Sequence, residues 1–147
     1  MSSDHSESVS TETMQQRGRK LILSVDDELS VLYSRYKLLS SAGYAVLSAT
    51  DGVQALQIFG SNAIDLVLLD FLLEGMDGGS VADGMRAYKP EVPILMVSGV
   101  TVPSECLAKV NGFVCKSDGA EALLKSISGL MCPKPIRPGI VKSYRSL

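Results

Sequence analysis

Five short apolar runs, separated by longer segments with a one-sided hydrophobic pattern, constrain this chain more than any other feature. The runs are LILSV at 21–25, YAVLSA at 44–49, IDLVLLD at 64–70, PILMVS at 93–98 and GFVCK at 112–116. The first, third and fourth are nearly uninterrupted, as expected of parallel strands covered on both faces; a strand with one wet face would alternate. The segments between them read as helices. Leu29, Leu32, Tyr33, Tyr36 and Leu39 share one side of the first, and Gly43 offers a left-handed stop behind it. Asp51 with Gln54, Ser80 with Asp83, and Asp118 with Glu121 each have the spacing of an N-cap and its first-turn partner. VPSECLAKV at 102–110 predicts a shorter helix, and Leu123, Leu124, Ile127 and Leu130 give the last helix its apolar face. Right-handed crossovers distribute such helices over both sides of a sheet. The pattern therefore specifies an α/β fold, a doubly wound five-stranded parallel sheet with helices on both faces.

This pattern occupies residues 20–130. Residues 1–19, rich in Ser, Thr and charge, read as a disordered polar leader without the apolar core of a signal peptide. Residues 131–147 carry Pro133, Pro135 and Pro138, which forbid continuing the helix, so this tail is either a solvated linker or a partner-binding segment. Lys and Arg number 14 against 16 Asp and Glu, which leaves no basic footprint for nucleic acid. No apolar stretch approaches the roughly 20 residues of a membrane span, so a cytoplasmic location without membrane attachment is expected. Cys106, Cys115 and Cys132 lack metal-site spacing and the single histidine, His5, lies in the leader, so reduced thiols are expected, with Cys106 and Cys115 packed as small hydrophobes.

Charge collects where the strands end. Asp26 and Asp27 follow the first run and Asp70 closes the third. In a doubly wound sheet these termini are neighbours, and three carboxylates that close repel one another unless a small hard cation neutralises them. Mg²⁺ is the physical inference. Taken alone, Asp27 would serve equally well as the cap of the following helix. Ser98 and Lys116, at the ends of the fourth and fifth runs, add a hydroxyl and an ammonium at the same edge. The set suits a tetrahedral anion.

Over about residues 20–129 these motifs resemble the receiver domains of two-component response regulators. VDDE at 25–28 is similar to the family's acidic metal-binding pair, and Asp70 in LLDFLLEGMDG to its phosphoacceptor, followed by a Met76-Asp77-Gly78 turn. Ser98-Gly99 is similar to the hydroxyl residue and its small neighbour, Lys116 to the family lysine, and Phe113 to the switch aromatic. The resemblance implies a flavodoxin-like strand order of 2-1-3-4-5 and transfer of a phosphoryl group to Asp70 from a sensor histidine kinase or phosphotransfer protein. It implies Mg²⁺ held by Asp26, Asp27, Asp70 and the backbone carbonyl of Leu72, with Lys116 pairing one phosphoryl oxygen and Ser98 donating to another. Ser98 and Phe113 would be switch residues, and Gly99 would leave room for the phosphoryl group. Gly99 as a simple turn residue and Phe113 as plain core are the structural alternatives. The chain would be a stand-alone receiver acting by partner binding or phosphorelay, with a homodimer among its assemblies, and no enzyme beyond its own phosphorylation and dephosphorylation. A reading of a different class is a pseudo-receiver, an interaction module that keeps the fold without phosphorylation.

Several positions depart from the family pattern. Glu74 stands where proline is usual, and Ser117 follows Lys116 where proline is usual. The Lys-Ser peptide is expected to be trans, since cis without proline costs about 2.5 to 4 kcal/mol. The span from Ser98 to Lys116 is about one helical turn short, roughly 5 Å of helix. Leu72 and Val100, two residues after Asp70 and Ser98, should flank the path of a water to the Asp70 phosphoryl group. Neither orients a water, which predicts slow self-dephosphorylation. The alternative is that both merely cover the edge of the core.

Overall fold

In a computed structural model that describes residues 18–131, the apolar runs form five parallel strands. They are β1 (Leu21–Val25), β2 (Ala45–Ala49), β3 (Leu66–Asp70), β4 (Ile94–Ser98) and β5 (Gly112–Cys115). Their order is β2-β1-β3-β4-β5, as expected. The central strand β3 and its neighbour β4 are buried at every position, which accounts for their unbroken apolar sequences. Edge strand β2 is buried only at Ala49 and reads less purely apolar. The expectations for the leader and tail, and the one for Cys132, fall almost wholly outside the described residues; Met131 is the last residue of the final helix.

The same described residues form the helices α1 (Leu29–Ser41), α2 (Gly52–Ser61), α3 (Gly78–Tyr88), α4 (Ser104–Leu107) and α5 (Ala120–Met131). Because successive strand residues point to opposite faces, the sheet separates two cores. Leu23, Val25, Val67, Leu69 and Met96 pack with Phe59 of α2 and Met85 of α3. Ile22, Leu66, Leu68, Leu95 and Val114 pack with Leu39 of α1 and Leu123 and Ile127 of α5. Leu68 and Leu69, fully buried on opposite faces, are each worth about 1.5 to 3 kcal/mol of burial. Among the described residues no helix is long and apolar enough to cross a membrane.

Three local expectations need correction. The sheet-facing side of α1 is Leu32, Arg35 and Leu39, whereas Leu29, Tyr33 and Tyr36 are exposed. The helix is turned so that Arg35 reaches an acidic partner, and this carries the two tyrosines to the outside. Helix α3 is capped by Asp77, whose side chain accepts from the Ser80 N–H at 2.9 Å; Asp83 pairs instead with Lys109. Asp118 does not cap α5 either. It closes a single 3-10 turn, Lys116–Asp118, by accepting from the Cys115 N–H at 3.1 Å. The Asp51–Gln54 pair caps α2 as expected, with Gln54 N–H donating to Asp51 at 2.8 Å, and Gly43 takes the left-handed conformation at φ 98. Helix α4 is a single turn, in keeping with the short span that holds it.

Candidate functional site

The carboxyl ends of β1, β3, β4 and β5 border one hollow of about 320 Å³. Asp27, Asp70, Ser98 and Lys116 contribute to its wall, and Leu72, Gly99 and Val100 flank them. Asp70 is the last residue of β3 and is 4% exposed. What lets β3 end so close to the next helix is Gly78, where a Cβ would come within 2.6 Å of the Asp70 carbonyl oxygen. The Gly78 N–H donates to the Phe71 carbonyl at 2.7 Å, closing the loop beneath the carboxylate.

Asp26 is fully buried, and its two oxygens are already engaged. Oδ1 accepts from the Glu28 N–H at 3.0 Å, while Oδ2 lies 3.3 Å from Arg35 Nη2 and 3.0 Å from Lys116 Nζ. Asp27 is exposed and does not cap α1, whose N-cap is Glu28 without any side-chain bond. Asp26, Asp27 and Asp70 each place a carboxylate oxygen within 4.8 Å of the others. Hard, negatively charged oxygens at this spacing fit a small divalent cation such as Mg²⁺.

The carboxylates and cations perturb one another. Burial, then the charge of Asp26, pushes the Asp70 carboxyl up to about 6, with Lys116 and Arg35 offsetting part of the effect. Burial alone would lower the Lys116 ammonium, but its hydrogen bond to Asp26 and the charges of Asp70 and Asp26 outweigh this, so the net shift is upward. Lys116 Nζ also stands 3.6 Å from Asp70 Oδ1. The lysine thus reaches both buried acids through a trans peptide to Ser117, as no cis bond occurs among the described residues.

The remaining candidates divide. Ser98 is buried, and its hydroxyl both donates to the Val100 carbonyl and accepts from the Val100 N–H, each at 3.1 Å. A Cβ at Gly99 would touch only Lys116 Cδ at 3.9 Å, an ordinary contact, so a methyl group fits there. Phe113 is 42% exposed and is not plain core. Leu72 and Val100, 53% and 46% exposed, border the hollow rather than sealing the core. The residue that sequence reasoning missed is Arg35, 6% exposed on α1. Its signal was present: an arginine three residues after Leu32 and four before Leu39 lies on the buried side of the helix.

Known proteins share this fold. The family model for the response regulator receiver domain matches residues 22–128. Response regulator MprA of Mycobacterium sp. (strain KMS) is 33% identical over 114 residues, covering 75% of this chain and 50% of that protein. The chain therefore spans about half the length of the curated relatives it matches. Among solved structures, chemotaxis protein CheY4 of Vibrio cholerae superposes with a TM-score of 0.72 at 28% identity, covering 76% of this chain and 98% of its own. Response regulator TrrA of Thermotoga maritima, solved in complex with Mg(2+)-BeF, gives a TM-score of 0.72 at 30% identity with the same coverage, 76% and 98%.

Proposed function

The chain belongs to the response regulator receiver domain family, and from that premise we propose that it is a phosphoacceptor of a two-component system whose acceptor is Asp70. The donor is a phosphohistidine on a histidine kinase or a phosphotransfer protein. The observation that carries this reading is Asp70 at the floor of an open hollow, with Asp26, Asp27 and Lys116 gathered against it. An Asp70 oxygen attacks phosphorus and the phosphorus–nitrogen bond of the donor breaks. Its electron pair stays with the departing imidazole, which takes up a proton. Phosphoryl transfer needs alignment and charge neutralisation more than covalent help from the protein. Lys116 already spans Asp26 and Asp70 and is placed to pair with an incoming phosphoryl oxygen. The Ser98 hydroxyl would exchange its Val100 partners for another phosphoryl oxygen, and Phe113, half out of β5, would follow that exchange. Asp26, Asp27, Asp70 and the Leu72 carbonyl would hold Mg²⁺, which when bound neutralises charge on the phosphoryl oxygens. The chain then catalyses only its own phosphorylation and dephosphorylation, and signals by partner binding or by passing the phosphoryl group on.

Mass spectrometry after incubation with acetyl phosphate, with and without Mg²⁺, tests this. A Mg²⁺-dependent adduct on wild type and none on Asp70→Asn is expected, since an amide oxygen forms no acyl phosphate. An adduct retained by Asp70→Asn, or label on Asp26 or Asp27, would overturn the assignment. A second reading, the phosphorylation-independent interaction module, is favoured by the closed Ser98–Val100 bonds and by the two cations already seated on Asp26. No adduct on wild type under any condition would select it.

A further inference from the structure

The mechanism above uses one cation, yet the acid cluster has two. Arg35 Nη2 and Lys116 Nζ both meet Asp26 Oδ2, at 3.3 and 3.0 Å. Lys116 is part of the open hollow, whereas Arg35 approaches from the buried side of α1, between Leu32 and Leu39. Its guanidinium is poorly served there: Nη1 is buried and has no hydrogen-bond partner among the described residues. The pair offsets repulsion among the carboxylates, but Asp26 Oδ2 already has Lys116 as a partner, so a second cation on the same oxygen calls for a reason beyond pairing. What the arginine does supply is charge. Three carboxylates against Lys116 alone would leave two negative charges, and Arg35 reduces this to one.

We propose that Arg35 is a built-in counter-cation of the acid cluster, a positioning residue that clamps Asp26 from the core side and weakens the binding of Mg²⁺ to Asp26, Asp27 and Asp70. The inference rests on the Mg²⁺ reading of the preceding section. It follows from two effects of one contact: the guanidinium occupies a lone pair of Oδ2, and its charge repels a dication arriving within a few ångströms. The resting protein thus keeps its acids together without the ion and binds it only at higher concentration.

Calorimetric titration of Mg²⁺ into the full chain separates this from a structural role, because damage to the fold would weaken binding whereas loss of the counter-charge strengthens it. Arg35→Gln, which keeps an N–H donor and most of the volume, and Arg35→Met should each bind Mg²⁺ about tenfold or more tightly than wild type. Arg35→Lys, which restores the charge, should return to within about threefold of wild type. Unchanged or weaker binding by a cooperatively folded Arg35→Gln overturns the inference alone. Failure of both neutral variants to fold would show that the arginine serves the fold, and would also overturn it. Absence of Mg²⁺ binding by wild type and all three variants instead removes the Mg²⁺ reading and the inference with it.

Discussion

A carboxylate that attacks phosphorus must be ionised, and Asp70 is held closer to neutrality than an ordinary aspartate. Its carboxyl is pushed up to about 6 from 3.8 by burial first and by Asp26 second. A raised folded value means that the stabilising contribution of Asp70 is complete below pH 3.8 and is lost as pH rises through about 6. At neutral pH the ion-free protein therefore carries this residue at a cost. The same shift makes protons and metal compete. From a value of about 6, the ionised fraction of Asp70 falls about tenfold between pH 7 and pH 5. Mg²⁺ affinity measured by calorimetry should drop by a similar factor over that interval. Equal affinities at the two pH values would show that the Asp70 carboxyl is ionised throughout.

Of the elements that carry the site, the loops after β3 and β4 present apolar side chains to its mouth. Leu72 and Val100 border the hollow and are roughly half exposed, and in the proposed phosphorylated form they would obstruct a water without orienting one. Leu72→Asn combined with Val100→Glu should shorten the lifetime of the phosphorylated form about tenfold or more, a barrier change of about 1.4 kcal/mol. Decay followed by mass spectrometry checks this, and an unchanged rate in a normally phosphorylated double variant would remove both side chains from control of water access. The strands bearing these loops were legible in the sequence because β3 and β4 are buried on both faces and admit little but apolar residues. Asp26, Asp27, Asp70, Ser98 and Lys116 were legible for a related reason, since each sits at or just beyond the end of such a run. The helices were less so. Asp77 and Ser80 both have capping side chains and lie three residues apart, so their spacing does not decide between them. Rotation of α1 was hidden because tyrosine and leucine count as apolar and arginine as polar, while the buried Asp26 carboxylate just past β1 reverses that preference at Arg35. Phe113 was undecidable from pattern alone, because GFVCK reads apolar on both faces whereas the structure leaves this ring 42% exposed.

At the scale of the whole molecule, parallel topology brings the strand ends together and so gathers three carboxylates at one rim of the sheet, while the two cores hold them there. Folding therefore works against like-charge repulsion that the unfolded chain does not feel, and anything that relieves it should stabilise the entire domain rather than the loops alone. Arg35 and Lys116 relieve it internally, and a divalent ion bound at the proposed site would do so from outside. An ion binding only the folded state adds RT ln(1 + [L]/Kd), about 2.7 kcal/mol at a hundredfold excess over Kd. Asp27 is the exposed member of the cluster, and its charge adds to the upward push on Asp70. Asp27→Asn removes that charge and one carboxylate of the proposed Mg²⁺ site with little change in packing. Without Mg²⁺ the variant should melt at a higher temperature than wild type, and added Mg²⁺ should raise its Tm less. Parallel melts of the two proteins across a Mg²⁺ series read both effects. Equal Mg²⁺ shifts would mean that Asp27 does not bind the ion. A lower melting temperature for the ion-free variant would mean that repulsion at the rim is already fully relieved by the two cations seated on Asp26.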